Sequence, residues 1–255
     1  MIDTHAHIYL KELEPERAAM IERAKAAGVE RIYMPAIDSS EMDSLLETEE
    51  QYPDYCIAMM GLHPCYVKEN YQDELALVES WLGKRQFAAV GEIGLDRYWD
   101  RSYDQQQIES FRLQMEWALK YKHPVVIHTR EAMEATIEEV APFAERGLRG
   151  IFHCFGGTLE QGERIVDMGF CLGIGGVLTY KKSGLAEVLQ SDAIPLDALV
   201  LETDTPYLSP VPHRGKKNEP AFLPLVAQRL SEVKGLELSE VIERTSQRAL
   251  EIFGK

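Results

Sequence analysis

Met-Ile-Asp-Thr-His-Ala-His, residues 1–7, opens the chain. Side chains alternate across an extended segment, so His5 and His7 share one side and Ala6 takes the other. Two imidazoles on one side of a strand end make a chelating pair, although His-x-His alone is a weak motif. The pair gains weight from what recurs downstream. Four more ligand-type residues fall at the ends of apolar runs: Glu92 in AAVGEIGLD (88–96), His128 in PVVIHTRE (124–131), His153 in GIFHCF (150–155) and Asp204 in LVLETDTP (199–206). Four of the seven histidines occupy such places. Chance scattering of core histidines would not line them up this way.

The runs predict strands over Met1–Thr4, Arg31–Pro35, Tyr55–Gly61, Phe87–Glu92, Pro124–His128, Gly150–His153, Phe170–Gly173 and Leu199–Glu202. Amphipathic stretches separate them. Asp104–Tyr121 has Ile108, Phe111, Met115 and Ala118 at helical spacing, with Asp104 placed to cap it. Glu219–Lys234 repeats the theme and Gly235 stops it, while Ser239 is placed to cap a last helix. Strands alternating with helices imply parallel strands, and eight such units suit an α/β fold of the (β/α)8 TIM-barrel type, one domain over residues 1–255. In that barrel every strand ends on one rim, so residues far apart in sequence converge there. A doubly wound open sheet sets its strand ends along a line and gathers them poorly.

With 255 residues, 45% of them hydrophobic, the chain can bury one substantial core. No apolar run approaches the roughly 18 residues of a membrane span, so no membrane association is expected. Met1 leads straight into the first strand, so neither a signal nor a transit peptide is expected, and a cytoplasmic location follows. The cysteines Cys56, Cys65, Cys154 and Cys171 lack CxxC spacing and read as reduced thiols, Cys154 as barrel packing. A net charge of −15 argues against coating duplex nucleic acid through a general basic surface. It is compatible with a nuclease that grips a few phosphates locally.

Six segments together resemble the TatD-type metal-dependent deoxyribonucleases of the amidohydrolase-like barrels: DTHAH (3–7), GLHP (61–64), VGEIGLD (90–96), VIHTRE (126–131), FHCFGG (152–157) and LETDTPYL (201–208). The likeness runs over essentially the whole chain. It implies two divalent metal ions. His5 and His7 would hold one, His128 and His153 the second, with Glu92 bridging and Asp204 completing the first site. Glu92 stands where the wider superfamily often has a carboxylated lysine, which favours the TatD branch over dihydroorotase- or phosphotriesterase-like enzymes. Imidazole and carboxylate ligands suit Zn²⁺, Mn²⁺ or Fe²⁺; the resemblance adds Mg²⁺.

Two such ions activate a shared water and stabilise the attacking and leaving oxygens. Asp204 is the candidate proton acceptor, against a plain reading as a helix cap before Pro206. His63 is a candidate phosphate contact or a packing histidine. Arg130 either grips phosphate or pairs with Glu131 or another carboxylate. Asp96 and Glu202 are expected to orient the ligand histidines, and Tyr98 and Trp99 to stack on a base or simply pack. His213-Arg214-Gly-Lys216-Lys217-Asn218 is the most basic stretch of an acidic chain. It reads as a phosphate clamp through Arg214 and Lys216, which Lys181 and Lys182 extend, or as a solvated turn. His123 precedes strand five and should be structural.

The expectation is a metal-dependent phosphodiesterase acting on DNA, from single-stranded ends, with no obligate protein partner. The alternative keeps the metals and changes the bond to an ester or amide, such as a D-aminoacyl-tRNA ester. A metal-binding scaffold without activity does not explain six such residues on one rim.

Overall fold

The computed structural model describes residues 1–254, where eight strands alternate with helices. The strands are β1 (Ile2–Asp3), β2 (Arg31–Met34), β3 (Cys56–Ala58), β4 (Val90–Asp96), β5 (Val125–Arg130), β6 (Gly150–Phe152), β7 (Cys171–Ile174) and β8 (Leu199–Leu201). The helices are α1 (Glu14–Ala26), α2 (Met42–Gln51), α3 (Tyr71–Leu82), α4 (Asp104–Tyr121), α5 (Met133–Glu145), α6 (Leu159–Asp167), α7 (Leu185–Leu189), α8 (Leu223–Lys234) and α9 (Leu238–Phe253).

All strand pairs are parallel, in the order β1-β2-β3 and β4-β5-β6-β7-β8. Two seams join these sheets into a TIM barrel. Met60 bridges Val90, and the Gly91 N–H donates to the Met60 carbonyl. At the other seam Ala6 bridges Thr205, and the Thr4 N–H donates to the Leu201 carbonyl. Closure also shows in the packing. Ile2, Tyr33, Met59, Ala89, Val126, Ile151, Cys171 and Val200, one from each strand or its flank, form a single buried cluster. Only a closed barrel brings all eight together. Ala249 and Phe253 of α9 cover this floor, with the Phe253 ring 4.1 Å from that of Tyr33. Alternate residues such as Ile32, Ile127 and Phe152 pack outward in the larger cluster under the helices. Each such fully buried large side chain stabilises the fold by about 1.5–3 kcal/mol.

β4 departs from the expected Phe87–Glu92: it begins later and runs through Asp96. Its register against β5 shifts, Val90 facing Val125 and Ile93 facing Ile127. One extra residue therefore sits in β4, so Val90 and Ile93 both pack outward although three apart. The bulge turns Glu92 inward from the middle of a strand rather than from its end. β1 is also shorter than expected, and His5 and His7 flank the Ala6 bridge beyond it.

Three helix starts differ from expectation. Asp104 lies inside the first turn of α4, where its carboxylate accepts from Arg97 at 2.6 and 3.0 Å; Tyr103 takes the cap. Pro220 and Pro224 break the expected Glu219 start, so a 3₁₀ turn at Pro220–Phe222 leads into α8. Gly235 does end α8 with a φ of 64°. Ser239 lies within α9, which begins one residue earlier, after Glu237. Among the described residues no helix is long and apolar enough to cross a membrane.

Candidate metal centre

Glu92 is 1% exposed and is the hub of the barrel mouth. One carboxylate oxygen, Oε2, lies 3.1 Å from His5 Nε2 and 3.4 Å from His7 Nε2. The other, Oε1, lies 2.9 Å from both His128 Nδ1 and His153 Nε2, and 3.4 Å from His63 Nε2. Oε2 thus faces the His5–His7 pair and Oε1 the His128–His153 pair, with His63 as a third neighbour of Oε1. Asp204 Oδ1 stands 3.7 Å from the Nε2 atoms of both His5 and His7. The six residues singled out as candidate ligands therefore share one buried cluster, with His63 beside them.

Neighbouring groups decide which nitrogen each ring presents. Tyr9 donates its hydroxyl proton to the Pro35 carbonyl at 2.6 Å, so its oxygen accepts from His7 Nδ1 at 3.2 Å. A neutral His7 then aims an unprotonated Nε2 at the centre. His128 donates from Nε2 to Asp96 Oδ2 at 2.9 Å, leaving Nδ1 for the Glu92 side. Glu202 is fully buried, accepts from the Cys154 N–H, and lies 3.5 Å from His153 Nδ1. Asp96 and Glu202 thus sit where orienting groups are needed. His63 differs from the others. Its Nδ1 accepts the Cys65 N–H at 3.0 Å, so neutral His63 carries its proton on Nε2 and presents a donor.

Asp204 is held between the chain's first and last strands. Its N–H donates to the His5 carbonyl at 2.8 Å, and its own carbonyl accepts from Tyr207. No helix follows it, which removes the cap reading. Its φ is +58°, and Cys154 (+48°), Glu131 (+54°) and Leu208 (+52°) share this left-handed region on the same rim. Strained non-glycine backbone of this kind gathers where side chains must be aimed. Asp3 carries part of the support and has no counterpart among the sequence expectations. Fully buried, it accepts from the Thr203 hydroxyl at 2.6 Å, the Thr203 N–H at 3.0 Å and the His5 N–H at 3.3 Å. Burial pushes its carboxyl up to about 7. Tyr9 was also missed; its place two residues past His7, on the same side, was the available signal.

The charge balance of the cluster calls for cations. Burial alone would raise Glu92, yet His153, His63 and His5 hold it well below the usual carboxylate range. Burial opposes charge on His153, but Glu92 and Glu202 lift it well above its ordinary value. His128 is raised likewise, against its burial, by Asp96 and Glu92. Burial raises Asp204 to about 6, with His153 and His7 opposing. In the protein alone, the charged forms of His128 and His153 are thus favoured beside the buried carboxylates. Divalent cations would displace the added protons and satisfy the same carboxylates. Glu92 Oε2, which faces the His5–His7 pair, is buried without a hydrogen-bond partner, a second sign that the donor set fits metal.

The periphery is less uniform. The Arg130 guanidinium lies 3.8 Å from the Tyr98 ring centre and 5.3 Å from that of Trp99, and has no carboxylate partner among the described residues. Pairing with Glu131 is thereby set aside. Cys154, expected as barrel packing, instead lies past β6 and lines an open cleft with Thr129, Arg130, Gly156 and Gln161. The basic stretch divides. Lys217 pairs with Glu16 at 2.9 Å, His213 stacks on Phe222 at 3.9 Å, and buried Asn218 donates to the carbonyls of Thr203 and Tyr207. Arg214 lies 4.4 Å over the Tyr180 ring, and Arg214 and Lys216 are both exposed. Lys181 and Lys182 are exposed as well. His123 lies at the opposite end of the barrel, its N–H donating to Ala118 at the end of α4.

Comparison with known proteins agrees with this geometry. Residues 2–254 match the family described as TatD related DNase. The metal-dependent hydrolase YabD of Bacillus subtilis is 34% identical over 253 residues, covering 99% of this chain and 98% of its own. The 3′-5′ ssDNA/RNA exonuclease TatD of Erwinia tasmaniensis is 31% identical, covering 99% of each. Among solved structures, YjjV, a TatD homolog from Escherichia coli, superposes with a TM-score of 0.93 at 28% identity, covering 100% of this chain and 98% of that one.

Proposed function

Because the chain belongs to the TatD-related DNase family and is a metal-dependent hydrolase, we propose that it trims single-stranded nucleic acid, DNA above all, from the 3′ end. Two divalent ions would be held around Glu92. His5, His7 and Asp204 would bind the first, His128 and His153 the second, and Glu92 both. The observation that carries this reading is the two-sided Glu92, with one oxygen facing each histidine pair. Zn²⁺, Mn²⁺ and Mg²⁺ are the candidate ions, the imidazoles favouring the first two.

When bound, the ions would supply a nucleophilic water near neutral pH and offset charge on the phosphate oxygens. The remaining steps belong to the chain's own residues. Asp204, beside the His5–His7 pair and at the edge of the mouth, accepts the proton of the attacking water and returns it toward the leaving 3′ oxygen. His63 donates its Nε2 proton in a hydrogen bond to a non-bridging phosphate oxygen. Asp96 and Glu202 keep His128 and His153 in the required orientations. Arg214 and Lys216 attract the strand to an otherwise acidic body.

The test is end-labelled single-stranded DNA, RNA and an aminoacyl-tRNA in parallel, with each ion supplied separately. A ladder growing from the 3′ end, stopped by a chelator, is expected. Asp204→Asn should cut turnover by a hundredfold or more, on the order of a lost proton acceptor, while the fold persists. Protein that retains its metal yet cleaves only the aminoacyl ester would overturn the nuclease reading in favour of the esterase.

A further inference from the structure

We propose that Tyr98, Trp99 and Arg130 form a stacking subsite for one unpaired nucleobase, held in register with the metal centre by Asp96. The inference rests on the nuclease reading and names how the strand is gripped.

Tyr98 is 52% exposed and Trp99 68% exposed, together at the mouth on the segment that leaves β4. Their rings stand edge to face, 4.8 Å apart. The guanidinium of Arg130, on the neighbouring strand, lies over Tyr98 and within reach of Trp99. A cationic plane beside two open aromatic rings presents a flat surface for a base and a positive charge for its phosphate. Packing does not account for it. Trp99 leaves most of its area to water, and Arg130 has no carboxylate partner among the described residues.

Asp96 links this platform to the catalytic centre. Its Oδ1 accepts from the Tyr98 N–H at 2.9 Å and the Trp99 N–H at 3.2 Å. Its Oδ2 accepts from His128 at 2.9 Å. A single carboxylate therefore fixes both the backbone under the aromatic rings and a ring at the metal site. Gln107 holds the Asp96 N–H in turn, at 2.9 Å, so the carboxylate has little freedom. A base seated on the platform would have its phosphate set at a constant distance from the metal centre. Bases within a duplex are already stacked on both faces. The platform can engage only a base whose face is free, which selects single strands and frayed ends.

The experiment uses the metal-loaded full-length protein with a short oligothymidine and the same strand carrying an abasic site at each position in turn. Trp99→Ala should raise KM roughly five- to a hundredfold, the size of one lost base–aromatic stack, with a smaller change in kcat. Trp99→Phe, which restores a ring, should recover most of it. One abasic position should raise KM similarly in the wild type and have little further effect in Trp99→Ala, because the same contact is already gone. A readout independent of turnover is tryptophan fluorescence. Of the three tryptophans, Trp99 is the exposed one, so oligothymidine should quench emission in the wild type and not in Trp99→Phe. If the strand is degraded but Trp99→Ala keeps KM within twofold, or if every abasic position behaves alike, the subsite is overturned while the nuclease reading stands. If the strand is neither degraded nor able to quench Trp99, both are overturned.

Discussion

Tyr9→Phe removes one oxygen atom and with it two buried hydrogen bonds, the one from His7 Nδ1 and the one to the Pro35 carbonyl. The two losses have different consequences. Leaving a buried carbonyl without its donor costs about 1–3 kcal/mol of folding stability. Freeing the His7 ring lets its proton move to Nε2 and its plane turn away from the centre. Loss of such an orienting partner typically weakens metal affinity by about 10–100-fold, or about 1.4–2.8 kcal/mol. The aromatic ring remains, so the packing around residue 9 survives. The assay is competition between the metal-stripped protein and a chromophoric chelator for Zn²⁺ or Mn²⁺, with urea unfolding in excess EDTA measuring the first term alone. The weakening should fall on the ion proposed at His5 and His7 more than on the one proposed at His128 and His153. If Tyr9→Phe binds both ions within twofold of wild type, the tautomer argument for His7 fails, whatever happens to stability.

Gly173→Ala should lower both stability and turnover, because a Cβ there would lie 2.2 Å from Glu202 Oε2 and 3.0 Å from the His153 Cα; about 1–3 kcal/mol of overpacking should appear in the urea midpoint. Replacing Arg214 and Lys216 with alanine should weaken oligonucleotide binding and flatten its logarithmic salt dependence by about 1.4, two phosphate contacts at roughly 0.7 each; an unchanged slope would make the loop a solvated turn. His123→Gln concerns stability alone. Burial lowers the His123 pKa, so the unfolded chain takes up its proton first and stability is lost as pH falls below about 6.5. The variant in EDTA should therefore lose less stability between pH 7 and pH 5 than the wild type does, and an equal loss would show that His123 titrates normally.

The barrel and the meeting of its histidines were legible because both follow from period and order. Apolar runs alternating with amphipathic stretches imply parallel strands, and parallel strands in a closed barrel present their ends together. What escaped depends on side-chain contacts across the fold. Glu92 reaches the centre through a bulge, and no local pattern marks the extra residue. Lys217 reads as one of a cationic cluster, yet its partner Glu16 lies 201 residues away. Asn218 looks like a loop residue and instead braces the carbonyl of Thr203, next to Asp204. The Tyr9 hydroxyl gains its meaning only from the Pro35 carbonyl, which β2 delivers. Capping was misjudged at Asp104 and Ser239 because a nearby arginine and an earlier helix start decided those turns.

The seam between β1 and β8 joins the first strand of the chain to its last, through contacts such as Asp3 to Thr203, 200 residues apart. The proposed ligands straddle that join, His5 and His7 on one side and Asp204 on the other. During synthesis the two histidines emerge nearly 200 residues before Asp204, the carboxylate that meets them across the seam. The ring is then closed by the strand that completes the site. An ion bound there would act as a clasp on the barrel. It would favour the closed form over any state with the seam parted, by about 2.7 kcal/mol when present at a hundred times its dissociation constant.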